Sequence, residues 1–496
     1  MAETIALSLV SHTNVGKTTL ARTLLSRDIG EVRDAPHVTE FADPHPLLQD
    51  EAGNALTLWD TPGFGDSARL VRRLRREGSP LGWFLSEVWD RWRDRPFWAA
   101  QQVVRHVRDT SDVVLYLVNA AEPPEAAGYV APEMDLLAWI GKPVLVLLNQ
   151  LGAPRGERAD DADLRRWRER LQPWPLVRAV LPLDAFARCW VQEGVLWRAV
   201  QDALPPGRQE AMAALRRAWA QQRQQQFDAA MTALAASLAQ LGATRVVLAG
   251  GSGVMDSLRQ LGSTLGLADK RPAALDAAER ELAARVDGQT RASTEALIRL
   301  HGLDGRAGGL VLERLADQLQ WRQRVGEGSA ALLGGLVSGA ASGLAADLAS
   351  GGLTLGGGMI AGGVLGALGA AGLARGLNVV RGSDRGFVAL APTALQELLR
   401  AALLRYLAVA HYGRGRGQWR DGEAPAHWAD AVAQALAAQG PALAALWNTR
   451  TQALDNAGEA KRLQAALQPL LARAAEETLA LLYPAAWGEA AREARA

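Results

Sequence analysis

Apolar and polar positions follow two different periods along this chain, and the change falls near residue 204. Before it, short, mainly apolar runs (Ile5–Val10, Ala55–Trp59, Val144–Leu148) alternate with stretches of helical spacing. Such runs predict strands buried on both faces of a mostly parallel sheet, with helices between them. From Pro205 onward the pattern is nearly all helical and rich in Ala, Leu, Gln and Arg. The expectation is an α/β domain over residues 1–203 and a large all-α domain over residues 204–496, with a Gly-rich apolar hairpin at 328–377. Trp83, Phe84, Val88, Trp89 and Trp92 recur at helical spacing and mark one apolar helix face, suited to the core or to a partner. Val246 to Leu258 contains a Gly-rich stretch that reads as a helix break.

The first strand leads into Ser11-His12-Thr13-Asn14-Val15-Gly16-Lys17-Thr18-Thr19, and an amphipathic helix follows. This is the phosphate-binding P-loop pattern with Ser11 in place of its first glycine. A turn of backbone N–H groups at a helix start cradles phosphate oxygens. In that role Lys17 pairs with the β- and γ-phosphates, and Thr18 places its hydroxyl on Mg²⁺. The run ending at Trp59 is followed by Asp60-Thr61-Pro62-Gly63. Asp60 stands where a carboxylate holds the metal through water, and Gly63 where a backbone N–H meets the γ-phosphate. Thr39, between the two motifs, is the candidate to complete the metal shell.

The order of these motifs resembles the Era-like branch of the TRAFAC class of P-loop GTPases, over about 200 residues. More narrowly, with the "ADLASGGLTLGGG" stretch near residue 350, the chain resembles bacterial GTPases that carry a C-terminal domain of unknown function. The resemblance implies an α/β P-loop NTPase G domain, mostly parallel sheet flanked by helices, ahead of the all-α domain. It implies binding and hydrolysis of GTP with Mg²⁺, and a nucleotide-controlled switch acting on the helical domain. At the base-reading motif the chain departs from the family: Asn149 remains, Gln150 replaces a lysine, and Gly152 replaces the aspartate that reads guanine. Asp184 either supplies the missing carboxylate or caps the next helix. Phe64 follows Gly63 where some GTPases carry a water-positioning Gln. Asn14 either contacts a K⁺ ion, as in potassium-activated relatives, or stabilises the loop. A nucleotide-binding scaffold with little turnover is the other reading of Phe64 and Gly152.

Composition changes this picture little. A net charge of +1 over 496 residues gives no field that favours nucleic acid. The one cysteine, Cys189, fits a reducing cytoplasm, and no signal peptide is evident. Between Glu327 and Arg375 the sole charge is Asp347. Flanking arginines (Arg322, Arg324, Arg375, Arg381) and Gly335, Gly339 and Gly343 at four-residue spacing admit two readings. One is a hairpin buried among the helices. The other is a hairpin inserted from the cytoplasmic face of the inner membrane, touching lipid or a membrane protein. A second copy of the chain is a further candidate partner.

Overall fold

The computed structural model describes residues 2–12, 15–25, 43–64, 67–77, 95–149, 157–183, 190–248, 273–302, 387–411, 426–450, 456–484 and 486–487. The aromatic face at 83–92 and the Gly-rich block at 328–377 lie outside them. The chain divides into two compact units, residues 1–224 with 411–418 and 485–496, and residues 225–410 with 419–484.

The first unit is an α/β layer structure. Its strands are β1 (Thr4–Ser11), β2 (Asp43–Gln49), β3 (Ala55–Asp60), β4 (Val113–Asn119), β5 (Val144–Asn149) and β6 (Val177–Pro182). They form one sheet in the order β2-β3-β1-β4-β5-β6. All neighbours are parallel except β2, which runs antiparallel to β3. The helices are α1 (Lys17–Leu25), α2 (Ser67–Glu77), α3 (Arg95–Thr110), α4 (Val130–Ile140), α5 (Glu157–Leu171) and α6 (Trp190–Ala203).

The central strands β1, β4 and β5 are buried almost throughout. This is the condition of a parallel sheet covered on both faces, and it explains why they read as near-continuous apolar runs, broken in β1 by the buried Ser8 alone. β2 differs. Its sequence DPHPLLQ carries Pro44 and Pro46, and its pairing with β3 is irregular between Pro46 and Leu48. Proline lacks an N–H to donate and is tolerated at a sheet edge, where β2 sits. On one face, Val10, Phe64, Phe97, Tyr116, Met134, Leu137 and Trp167 pack into a continuous core with the apolar residues of β4 and β5.

A long helix, α7 (Pro206–Ala243), opens with proline in its first turn, where a missing N–H costs nothing. Arg208 in that turn pairs with Asp112, whose other oxygen accepts the backbone N–H of Ala6 at 2.8 Å. The second unit contains the later part of α7, then α8 (Ala273–Leu300), α9 (Pro392–Ala410), α10 (Ala426–Ala438), α11 (Gly440–Asn448) and α12 (Asn456–Leu482). Leu282, Val286, Leu395, Leu399, Leu463, Leu467 and Leu471 are fully or almost fully buried in it. The helical pattern foresees all of this except a two-stranded ribbon. β7 (Val246–Val247) pairs antiparallel with β8 (Phe387–Val388), so the expected helix break begins as a strand. Among the described residues, no helix is long and apolar enough to cross a membrane.

Candidate functional site

The tips of β1, β3, β4 and β5 meet beside the start of α1, at the carboxyl ends of the parallel strands, where open α/β sheets hold their ligands. The loop between β1 and α1 needs Gly16: its φ of 96° lies in the left-handed region that side chains disfavour. The Gly16 carbonyl then accepts the N–H of Leu20 at 3.0 Å and opens the helix.

Ser11 is buried, and its hydroxyl donates to the His12 carbonyl at 2.5 Å. The same oxygen accepts from Lys17 Nζ at 3.2 Å. The residue that replaces the first glycine therefore also holds the lysine head. Burial pulls Lys17 below its ordinary value of 10.5, opposed by the charges of Asp60 and Glu133. Thr18 Oγ1 donates to Asp60 Oδ2 at 2.9 Å. Thr61 Oγ1 donates to the Leu9 carbonyl at 2.7 Å and ties the end of β3 to β1. Asn149, fully buried at the tip of β5, donates from Nδ2 to the Val15 carbonyl at 2.8 Å. It thus fastens the P-loop to the sheet. Phe64 is wholly buried in the core, so its ring anchors the segment after Gly63 rather than facing the loop.

Thr18 and Asp60 put a hydroxyl and a carboxylate oxygen at one point beside the lysine. Hard oxygen donors of this kind suit Mg²⁺, which takes few protein ligands and keeps water and phosphate oxygens for the rest. The donor set fits the ion. Ser11, His12, Val15, Gly16, Lys17, Thr18, Thr19, Asp60, Gly63 and Asn149 all fall within the described residues, and hydrogen bonds link Ser11 to Lys17, Thr18 to Asp60 and Asn149 to the loop. Thr13, Asn14, Thr39, Gln150 and Asp184 lie outside them.

One group of residues escaped the motif reading. Glu133, in the first turn of α4, is completely buried. Its Oε1 lies 2.9 Å from His12 Nδ1, and its Oε2 accepts the Tyr116 hydroxyl at 2.6 Å. The His12 ring stacks on Tyr129 with centroids 4.4 Å apart and planes 15° from parallel. The hydrogen bond to Glu133 raises His12 above its ordinary 6.5, outweighing the effect of burial. Burial pushes Tyr116 well up, and Tyr129 up to about 12. His12 and Glu133 stand 121 positions apart, so no local pattern points from one to the other.

Residues 176–480 match the family described as "Domain of unknown function (DUF3482)", well over half of the chain. The chain belongs to that family. Residues 6–150 match a second family, described as "50S ribosome-binding GTPase". The DUF3482 chain thus joins a GTPase domain to a domain of unknown function. The DUF3482 match begins just ahead of β6, so it takes in the last strand of the sheet. GTPase Der of Myxococcus xanthus (strain DK1622) is 28% identical over 155 residues. That alignment covers 30% of this chain, which spans 27% of the length of this curated relative. Two solved structures are similar. A variant of Aquifex aeolicus Era bound to GDP.AlF4- has 19% identity and a TM-score of 0.30, covering 41% of this chain and 58% of that one. Era in complex with MgGDPNP and a segment of 16S ribosomal RNA has 18% identity and a TM-score of 0.31, covering 42% and 59%.

Proposed function

We propose that this chain binds GTP with Mg²⁺ and hydrolyses it slowly to GDP and phosphate, and that the bound nucleotide controls the helical domain. The observation that carries the reading is the convergence of Lys17, Thr18 and Asp60 at the mouth of a loop fastened by Asn149. In this reading Lys17 leaves the Ser11 hydroxyl and meets the β- and γ-phosphates. Its ammonium offsets charge as the bridging oxygen leaves and water adds to the γ-phosphorus. Thr18 and Asp60 hold Mg²⁺, with Thr39 completing the shell; the ion neutralises phosphate charge when bound. The Gly63 N–H meets the γ-phosphate. Asn149 positions the loop, and contact with the base falls to Gln150 and Asp184.

Slow turnover follows from Phe64. A phenyl ring held in the core offers no group to orient water, so the intrinsic rate lacks the contribution a Gln makes in some GTPases. Activation then comes from a partner or from a cation at Asn14.

The test is binding and turnover by the purified full chain, with GTP and ATP, in K⁺ and in Na⁺. GTP-selective binding is expected, with Lys17→Ala lowering turnover by about 10²-fold or more. Equal affinity for ATP and GTP, or turnover unaffected by Lys17→Ala, overturns the reading. Faster turnover in K⁺ supports the cation at Asn14; equal rates remove it.

A further inference from the structure

His12 occupies the second position of the P-loop, yet its ring is turned to the protein rather than left in solvent. Two side chains receive it, and a third stands behind one of them, where Tyr116 donates to Glu133. Glu133 comes from α4, Tyr116 from β4, and Tyr129 from the turn just before α4. Both oxygens of Glu133 are engaged, one by the imidazole and one by a phenol. A fully buried carboxylate is held in the folded state by a cation or by several donors; of the two side chains hydrogen-bonded to Glu133, His12 is the one able to carry positive charge, and Lys17 acts on it from further away. The His12 side chain is 36% exposed, so solvent protons reach it while Glu133 stays dry.

The arrangement has two effects on the loop. Fixing the ring fixes the backbone of His12, whose carbonyl already accepts from Ser11. Protonating the ring also adds positive charge to a loop whose task is to hold phosphates. The charged and titratable groups that face the ring are Glu133 on α4, Lys17 on α1, Glu122 in the turn after β4, and the phenol of Tyr129; Tyr116 reaches Glu133 from its other side. The two carboxylates favour the imidazolium and Lys17 opposes it. Bound phosphate favours it further, because opposite charges stabilise each other.

We propose that Glu133 and His12 form a proton-dependent brace behind the phosphate loop, in which the imidazolium held between Glu133 and Tyr129 tightens the grip on nucleotide phosphates. Both are positioning residues, since Glu133 acts through His12 and His12 acts through the loop. The proposal rests on the GTP-binding reading. The linkage has a definite sign: His12 contributes to binding below its native titration midpoint, and the contribution fades as pH rises through it.

GDP is the probe, with affinity measured between pH 6 and 8.5 for the full-length protein and for His12→Gln. Titration of the phosphate itself affects both proteins alike, so the ratio of their affinities isolates His12. The ratio is expected to fall by up to about tenfold across the His12 midpoint, which corresponds to GDP raising that midpoint by roughly one pH unit. NMR of the His12 ring, assigned by its loss in His12→Gln, reads the midpoint directly with and without GDP. Glu133→Gln is expected to move the step to lower pH. A flat ratio with GDP binding intact, or a midpoint that GDP does not move, overturns the brace alone. Absence of GDP binding at every pH overturns the nucleotide reading and the brace with it.

Discussion

Asn149 and Tyr116 each act through one polar atom at a place where water is excluded. Asn149→Ala removes the donor to the Val15 carbonyl and leaves that acceptor at the rim of the P-loop without it. The expected cost is about 1–3 kcal/mol in stability, together with weaker nucleotide binding, read by chemical denaturation and by GDP titration. Tyr116→Phe keeps the ring in the core but strips one oxygen of Glu133 of its donor. A loss of about 1–3 kcal/mol is expected from the same denaturation measurement. For His12 the direction with pH is fixed by Glu133. The native midpoint lies above the unfolded value of 6.5, so the stabilisation is complete below 6.5 and is lost as pH rises through the native midpoint. Denaturation at pH 6 and pH 8.5 reads this, and His12→Gln should flatten that part of the profile. At this scale the positions of the motif were legible: the P-loop pattern picked out Lys17 and Thr18, the end of a strand picked out Asp60, and Thr18 donates to Asp60 in the fold. Glu133 was not legible. A single acid on a helix reads as solvated, and only its contacts with Tyr116 of β4 and His12 after β1 place it behind the loop.

Among the elements, β5 was readable because a strand buried on both faces of a parallel sheet reads as an apolar run, and β1 and β3 because a single small polar residue, Ser8 or Thr57, leaves the run recognisable. β2 escaped because two prolines and an irregular pairing erase any alternation. The ribbon of β7 and β8 escaped because its halves are 140 positions apart, Val247 against Phe387. In α7 one position shows how tightly the helical unit is packed. A methyl at Gly242 would lie 3.1 Å from the Trp447 ring and 3.3 Å from Leu463 Cδ1. Alanine gains about 0.5–1 kcal/mol in helix propensity, but overpacking costs about 1–3 kcal/mol. Trp447 is fully buried and has little room to yield. Gly242→Ala is therefore expected to lower stability by about 1 kcal/mol on balance, measured by the denaturant midpoint.

Each unit buries apolar residues of its own, around the sheet in the first and among the helices in the second. Nucleotide at a hundred times its dissociation constant stabilises the state it binds by about 2.7 kcal/mol. Scanning calorimetry should resolve two transitions, and GDP with Mg²⁺ should raise the one that belongs to the sheet unit. If both move equally, the units unfold together. The division into an α/β and a helical part was visible in the change of period near residue 204, whereas a compact-unit boundary within α7, between Gln224 and Gln225, leaves no mark on a helix that runs through it. The proline pair in β2 has a consequence for how copies of the chain meet. A strand arriving from another molecule would zip onto β2 by exchanging main-chain hydrogen bonds, and at Pro44 and Pro46 there is no hydrogen to exchange. That side of the sheet is closed to templated growth, so crowded copies can collide there without being recruited into a shared ribbon.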